Sequence, residues 1–199
     1  MNLQKQIVQD KIVNVNDRIG NNFIKNMQGT TKMVYDTLPI DGRNVYEFFK
    51  DTNSRTFPDT NVKNDALNVA ESLACQRISF SIVTKNEQTG AISSVVPLSQ
   101  ATGTELPLNL CELDIKIAND TVMRPITIQQ FMPEFNKTAI NVDMNVFELN
   151  TNLIIPPQLN FEFNLRAPVH SSAAPVGSVS YLRIIVEGVG SQFNGKTNF

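Results

Sequence analysis

Few residues in this chain are equipped for chemistry, and each would need fixed neighbours to perform it. The run Gly190-Ser191-Gln192-Phe193-Asn194-Gly195-Lys196-Thr197 satisfies the spacing GxxxxGK[ST], which in a nucleotide-binding loop wraps phosphate in backbone N–H groups. That chemistry also requires a helix whose N-terminus follows the threonine directly. Only Asn198 and Phe199 come after it, so a tail over 190–199 that docks on a neighbour is the better expectation. His170 is the one histidine, set in the small-residue run VHSSAAPVG. Serines stand beside it, but a nucleophilic triad needs a base held by a third group from across the fold. Nothing marks such a group, and a surface histidine is expected. Glu112 and Asp114 share one face of a strand and could hold a cation; two solvated outer-face positions explain them more simply. Cys75 and Cys111 each sit in an apolar run and read as reduced core cysteines rather than a disulfide. With no CxxC and one histidine, a zinc site of the usual kind is not expected. No catalytic, cofactor-binding or metal-ligating residue is therefore assigned, no cofactor is expected, and the chain does not read as an enzyme.

The composition narrows the class of molecule. Of the 199 residues 41 % are hydrophobic, enough for one domain with a real core. Charged residues are 18 %, below the usual share of about a quarter. Uncharged Asn, Thr, Ser and Gln carry the polar surface, and asparagine favours turns over helix interiors. The net charge of -2 and pI near 5.4 supply no basic field for nucleic acid or anionic lipid. No apolar run approaches the roughly 20 residues that span a bilayer. The start, MNLQKQIVQDKIVNV, is polar and mixed in charge, unlike a secretory signal. The glycan-acceptor patterns Asn119-Asp120-Thr121 and Asn136-Lys137-Thr138 accordingly carry little weight. Aromatics are mainly phenylalanine, with no tryptophan, which weakens a sugar- or base-stacking surface.

The elements come from the period of the apolar residues. Leu159, Phe161, Phe163 and Leu165 alternate with Asn160, Glu162, Asn164 and Arg166, a strand with one apolar and one wet face. A second layer must cover the apolar face. Pro156-Pro157 ends the preceding run Leu153-Ile154-Ile155, because neither proline can donate to a ladder. The same reading predicts strands at Thr31–Leu38, around Leu67, Val69 and Leu73, at Arg77–Thr84, Ala91–Leu98, Leu108–Ala118, Thr121–Gln130, Val142–Leu149 and Val179–Val189. Val45–Phe49 is too short to assign. Arg77–Leu98 predicts a hairpin across Asn86–Gly90, and Pro125 predicts an edge position. Phe131–Asn141 and Ala167–Ser178 read as loops. Residues 1–30 read as an N-terminal arm, partly helical, since Val8, Ile12, Val15, Ile19 and Phe23 follow helical spacing. The expectation is an all-β protein: an antiparallel β-sandwich or jelly roll of about eight strands. It divides into an arm over 1–30, a β domain over 31–189 and a tail over 190–199.

Two stretches carry a resemblance. Tyr46–Ile82 (YEFFKDTNSRTFPDTNVKNDALNVAESLACQRISFSI), and Leu153–Leu165 (LIIPPQLNFEFNL) with Ser180–Ser191 (SYLRIIVEGVGS), are similar in texture to jelly-roll capsid proteins of tailless icosahedral bacteriophages. The resemblance implies a structural virion protein located in the virion. Its partners would be copies of itself, in a trimer or similar capsomer, and other virion proteins. It carries over no catalytic residue and no strong nucleic-acid signal, and leaves open whether an internal membrane lies beneath the shell. A phage spike or fibre-type β-sandwich that binds a host receptor or glycan is the alternative.

Overall fold

The computed structural model describes residues 27–69, 71–97, 106, 110–128, 146–170 and 176–193. Most of the expected arm, the Phe131–Asn141 loop and the last six residues of the expected tail lie outside them. The strands are β1 (Met27–Pro39), β2 (Val45–Phe48), β3 (Ser72–Asn86), β4 (Ile92–Pro97), β5 (Glu112–Ile117), β6 (Asp120–Thr127), β7 (Val146–Ile155), β8 (Phe161–Arg166) and β9 (Ser178–Phe193). A single 3-10 turn, Thr52–Ser54, interrupts the segment between β2 and β3.

The strands form two antiparallel sheets. One runs β1-β9-β3, with β7 and β4 both paired to β3; the other runs β2-β8-β5-β6. β7 takes the first half of β3, Leu73–Ser79, and β4 takes the second, Ser81–Lys85. With β4 set aside as a hairpin insertion, the chain pairs as nested hairpins. β1 meets β9, β2 meets β8, β3 meets β7, and β5 meets β6 at the closed end. Rolled up, this long hairpin also brings β9 against β3 and β8 against β5. That winding is the eight-stranded jelly roll, which shields long strand edges by wrapping two sheets about one core.

Burial follows the two-residue period. Phe161, Phe163 and Leu165 of β8, Leu113 and Ile115 of β5, and Leu182, Ile184 and Val186 of β9 are all fully buried in one cluster. Phe49 packs on both Phe161 (ring centroids 4.9 Å apart) and Phe163 (5.4 Å, edge-on). Each such ring contributes about 1.5–3 kcal/mol by leaving water. The inside of the roll is thus filled by side chains.

Several expectations are corrected. Leu159 is 38 % exposed, because β8 begins only at Phe161, after Gln158 turns the chain at φ 60. Leu67 and Val69 lie outside β3; of that expected strand only Leu73 belongs to it. β1 begins at Met27, inside the expected arm, and β9 runs to Phe193, inside the expected tail. β2 does form, pairing with Arg166 to Phe163 of β8. Pro125 is on the edge strand β6 as expected, and β3–β4 is the expected hairpin.

The loops gather at two ends. At one, Ile40 N–H donates to Ser180 O, Ala167 N–H to Asn44 O and Glu87 N–H to Gly177 O, so 40–44, 87–91, 167–170 and 176–177 share that end. At the other, Gln158 N–H reaches Leu67 O and Phe161 N–H reaches Asp65 O. Met27 pairs with Phe193 there too.

Candidate functional site

The residues singled out for chemistry are built into the frame. Gly190 belongs to β9, opposite Thr30 of β1 and Leu73 of β3. A Cβ on it would stand 2.6 Å from Lys32 Cβ, so glycine is there to admit the Lys32 stem. The GxxxxGK[ST] run therefore begins as paired strand, not as a phosphate cradle; Gly195, Lys196 and Thr197 lie outside the described residues.

His170 is half-buried, not a surface histidine. Its Nδ1 lies 2.8 Å from Pro168 O and its Nε2 2.6 Å from Tyr46 Oη. A donor at Nδ1 leaves Nε2 to accept from the tyrosine. Tyr46 is wholly buried. Burial first, and the charge of Asp41 second, push its phenol up to about 12. The pair pins 167–170 over 40–46. Sequence spacing of 124 residues hid it. Tyr46→Phe should cost about 1 kcal/mol in urea unfolding, the usual net value of one buried hydrogen bond. The raised pKa makes the phenol's contribution complete below pH about 10 and lost as pH climbs from there through about 12. The Tyr46→Phe deficit should accordingly shrink in alkali.

Asp114 is 3 % exposed, a correction to its solvated reading. Asn164 Nδ2 donates to its Oδ1 at 3.1 Å and Arg166 Nη2 lies 3.0 Å from its Oδ2. Glu112 stays exposed. With both Asp114 oxygens engaged, the one neutral Asn164 Oδ1 that has no partner falls far short of the about six to eight oxygens calcium takes. Among the described residues no three His, Cys, Asp or Glu side chains gather as a metal site.

Cys75 and Cys111 are buried and not joined in a disulfide, as the apolar runs around them led one to expect. Burial pushes both thiols up, Cys111 to about 12, so neither supplies thiolate at neutral pH. A disulfide reagent should find no reactive thiol among these two in the native protein and both after denaturation; fast native labelling would contradict their placement.

What the structure assembles, and sequence spacing does not announce, is the segment 49–69 on the β1 side of the sandwich, with Glu71 beside it. Phe49 and Asp51 near its start and Asn64 and Asp65 near its end stand at positive φ. Asp36, wholly buried, receives Phe49 N–H at 2.7 Å and the Arg55 guanidinium at 2.8 and 3.2 Å. Pro58 and Asp59 then cross the outer face of the first sheet. Arg183 Nη2 donates to Pro58 O at 2.8 Å while its Nε donates to Thr37 Oγ1 at 2.9 Å. Lys85 pairs with Asp59 and lies 4.3 Å over the Tyr181 ring. Thr60 and Asn61 return along the free edge of β1. Asn61 Oδ1 accepts from Tyr35 N–H and its Nδ2 donates to Met33 O, each at 2.8 Å. These bonds satisfy an edge that would otherwise invite strand pairing. Behind the strap a cavity of about 340 Å³ opens beside Lys32, Val34, Val62, Leu67 and Glu71. Lys32 and Glu71 are ion-paired across it. Burial alone would raise the Glu71 pKa, but the Lys32 hydrogen bond and charge outweigh it, and the net shift is downward.

No protein-family model, no curated protein and no solved structure matches this chain.

Proposed function

We propose that this protein is a structural virion protein: a jelly-roll subunit that assembles with copies of itself into capsomers of an icosahedral phage shell. The observation that carries the reading is the nested pairing β1–β9, β2–β8, β3–β7, β5–β6 in two sheets. Double-sheet rolls of this winding serve viral shells, lectins and cupins. The interior weighs against a roll with an internal ligand chamber, since Phe49, Phe80, Phe161 and Phe163 fill the space between the sheets. The surface adds to it: Met33, Phe57, Val69 and Val122 are large apolar residues left open on a body whose core is already complete, and loops and termini are where subunits of repeated assemblies touch. Met27–Thr30 and Gly190–Phe193 are paired within the chain; in this reading the ends beyond them, 1–26 and 194–199, are exchanged or docked between subunits, and the protein resides in the virion with other shell proteins. Light scattering on the purified chain tests it. A mass at least twice 22.2 kDa, reduced when residues 1–26 are deleted, is expected; a concentration-independent monomer would overturn the reading.

A further inference from the structure

The cavity beside Lys32 is polar where it can be reached. Its apolar residues Val34, Val62 and Leu67 are each no more than 5 % exposed, so they close it off and offer a ligand little surface. The polar side chains along it belong to Lys32, Asn61, Lys63, Asn68 and Glu71.

These groups differ in what they have left to give. Asn61 is engaged by β1: its Oδ1 accepts from Tyr35 N–H and its Nδ2 donates to Met33 O. Glu71 is nearly saturated. Its carboxylate takes Lys32 Nζ together with hydrogen bonds from the side chain and the main chain of Asn68, three of the about four acceptor positions a carboxylate has. Glu71 N–H in turn donates to Asn68 O at 3.0 Å, so the acid is locked to its own turn. An ammonium carries three hydrogens, and Lys32 gives one of them to Glu71. Lys63 is exposed and has no ion-pair partner among the described residues. The surplus therefore lies with donors. Two ammonium groups against one carboxylate leave the cavity with one positive charge.

Lys32 is also held in position. Its stem lies against Gly190, where an added Cβ would stand within 3.3 Å of Lys32 Cβ, Cγ and Cδ. A donor already fixed by its stem and by Glu71 loses little freedom when a ligand arrives.

We infer that this cavity binds a small organic monoanion, a carboxylate on a hydroxylated body, of which a sugar acid is the simplest form. The carboxylate meets Lys63 and the remaining hydrogens of Lys32 in charge-assisted hydrogen bonds. One negative charge balances the cavity, whereas a phosphate dianion would overshoot it. Hydroxyls suit the rest of the ligand: one donates to the last acceptor position of Glu71, and none needs the aromatic face that the lining lacks. The volume of about 340 Å³ stands at the small end of the about 300–1,000 Å³ typical of small-molecule sites. The site is complete within one chain and does not depend on self-assembly.

Equilibrium dialysis of the full chain tests this with three probes: galacturonate, its neutral counterpart galactose, and inorganic phosphate. Galacturonate should bind once per chain and weaken as salt is raised, because the contact is with an exposed ammonium. Galactose should bind about tenfold more weakly or worse, the effect of losing one charge-assisted contact. Lys63→Gln should weaken galacturonate by about the same factor with the melting temperature unchanged, since Lys63 is exposed, and Lys63→Arg should restore it. The inference is overturned if galacturonate is not retained, if it binds wild type and Lys63→Gln alike, or if galactose binds equally well. Phosphate held more tightly than galacturonate would overturn it too, since the cavity would then not select a monoanion. Self-association is read separately by light scattering, so either result leaves the assembly reading to its own test.

Discussion

Replacing Gly188 by alanine should lower the melting temperature by about 6–12 °C. Glycine is required there by the path of β3. The register of β3 against both β7 and β9 slips between Cys75 and Arg77, so one extra residue bulges the strand. The bulge brings the backbone of Ala74 onto Gly188, and an added Cβ would sit 1.8 Å from Ala74 O and 2.8 Å from its carbonyl carbon. Both obstacles are main chain, so relief needs β3 and β9, adjacent in the first sheet, to part. Overpacking at the strong end costs about 3 kcal/mol. For a chain of this size each kcal/mol is about 2–4 °C. Thermal unfolding followed by circular dichroism measures it. Gly90 is the control: it turns at φ +68 with nothing within 4 Å of its Cβ position, and alanine there should cost only about 1 kcal/mol of backbone strain. Equal melting temperatures for Gly188→Ala and wild type would mean that the bulge does not press on β9.

Asp36→Ala should cost about 3–5 kcal/mol in urea unfolding, the range for removing one member of a buried ion pair. The carboxylate has two clients. It neutralises Arg55, whose side chain is 19 % exposed, and it caps the N–H of Phe49, which is held at φ 64 with its ring on Phe161 and Phe163. A bulky residue in the left-handed region persists only where its surroundings hold it. Without Asp36 the strap loses its first anchor and the core loses the hold on a phenylalanine. The pH dependence has an unusual sign. Burial raises the Asp36 pKa more than Phe49 N–H and Arg55 lower it. Between the ordinary carboxylate value and that raised value the folded state binds more protons, so stability from this group falls as pH rises through the window. The deficit of Asp36→Ala should therefore be at least as large at pH 4 as at pH 7. Glu71 has the opposite sign: its pKa is lowered, so its contribution is present above the usual glutamate value and lost as pH falls through the lowered one. Glu71→Gln should flatten the acid limb of the stability curve.

These two sites mark the boundary of what sequence reading reaches. The strand period of Phe161, Phe163 and Leu165 was legible because alternation is a local signal with one geometric meaning. The β3–β4 hairpin, the edge position of Pro125 and the buried cysteines were legible for the same reason. Leu159 broke the pattern because nothing in its type reveals that Gln158 turns the backbone just before it. Asp114 looked solvated because its phase on β5 is outward; its burial depends on Asn164 and Arg166, which reach it only through the β5–β8 register. Tyr46 and His170 meet because jelly-roll winding brings the β1–β2 and β8–β9 loops to one end, a fact of topology rather than spacing. The strap was hidden most thoroughly. Asp51 to Asn64 reads as a polar loop, and only the folded sheet shows that Asp36, Lys85 and Arg183 from three strands hold it down. Phe57 then changes meaning, from an aromatic in a loop to a ring fixed in solvent.

Electron microscopy of the concentrated full-length protein tests the central claim most directly. Regular capsomers or closed shells are expected, with each repeating density fitted by the two wound sheets. Isolated single particles of 22.2 kDa at every concentration, coupled with capture of a purified glycan, would contradict it.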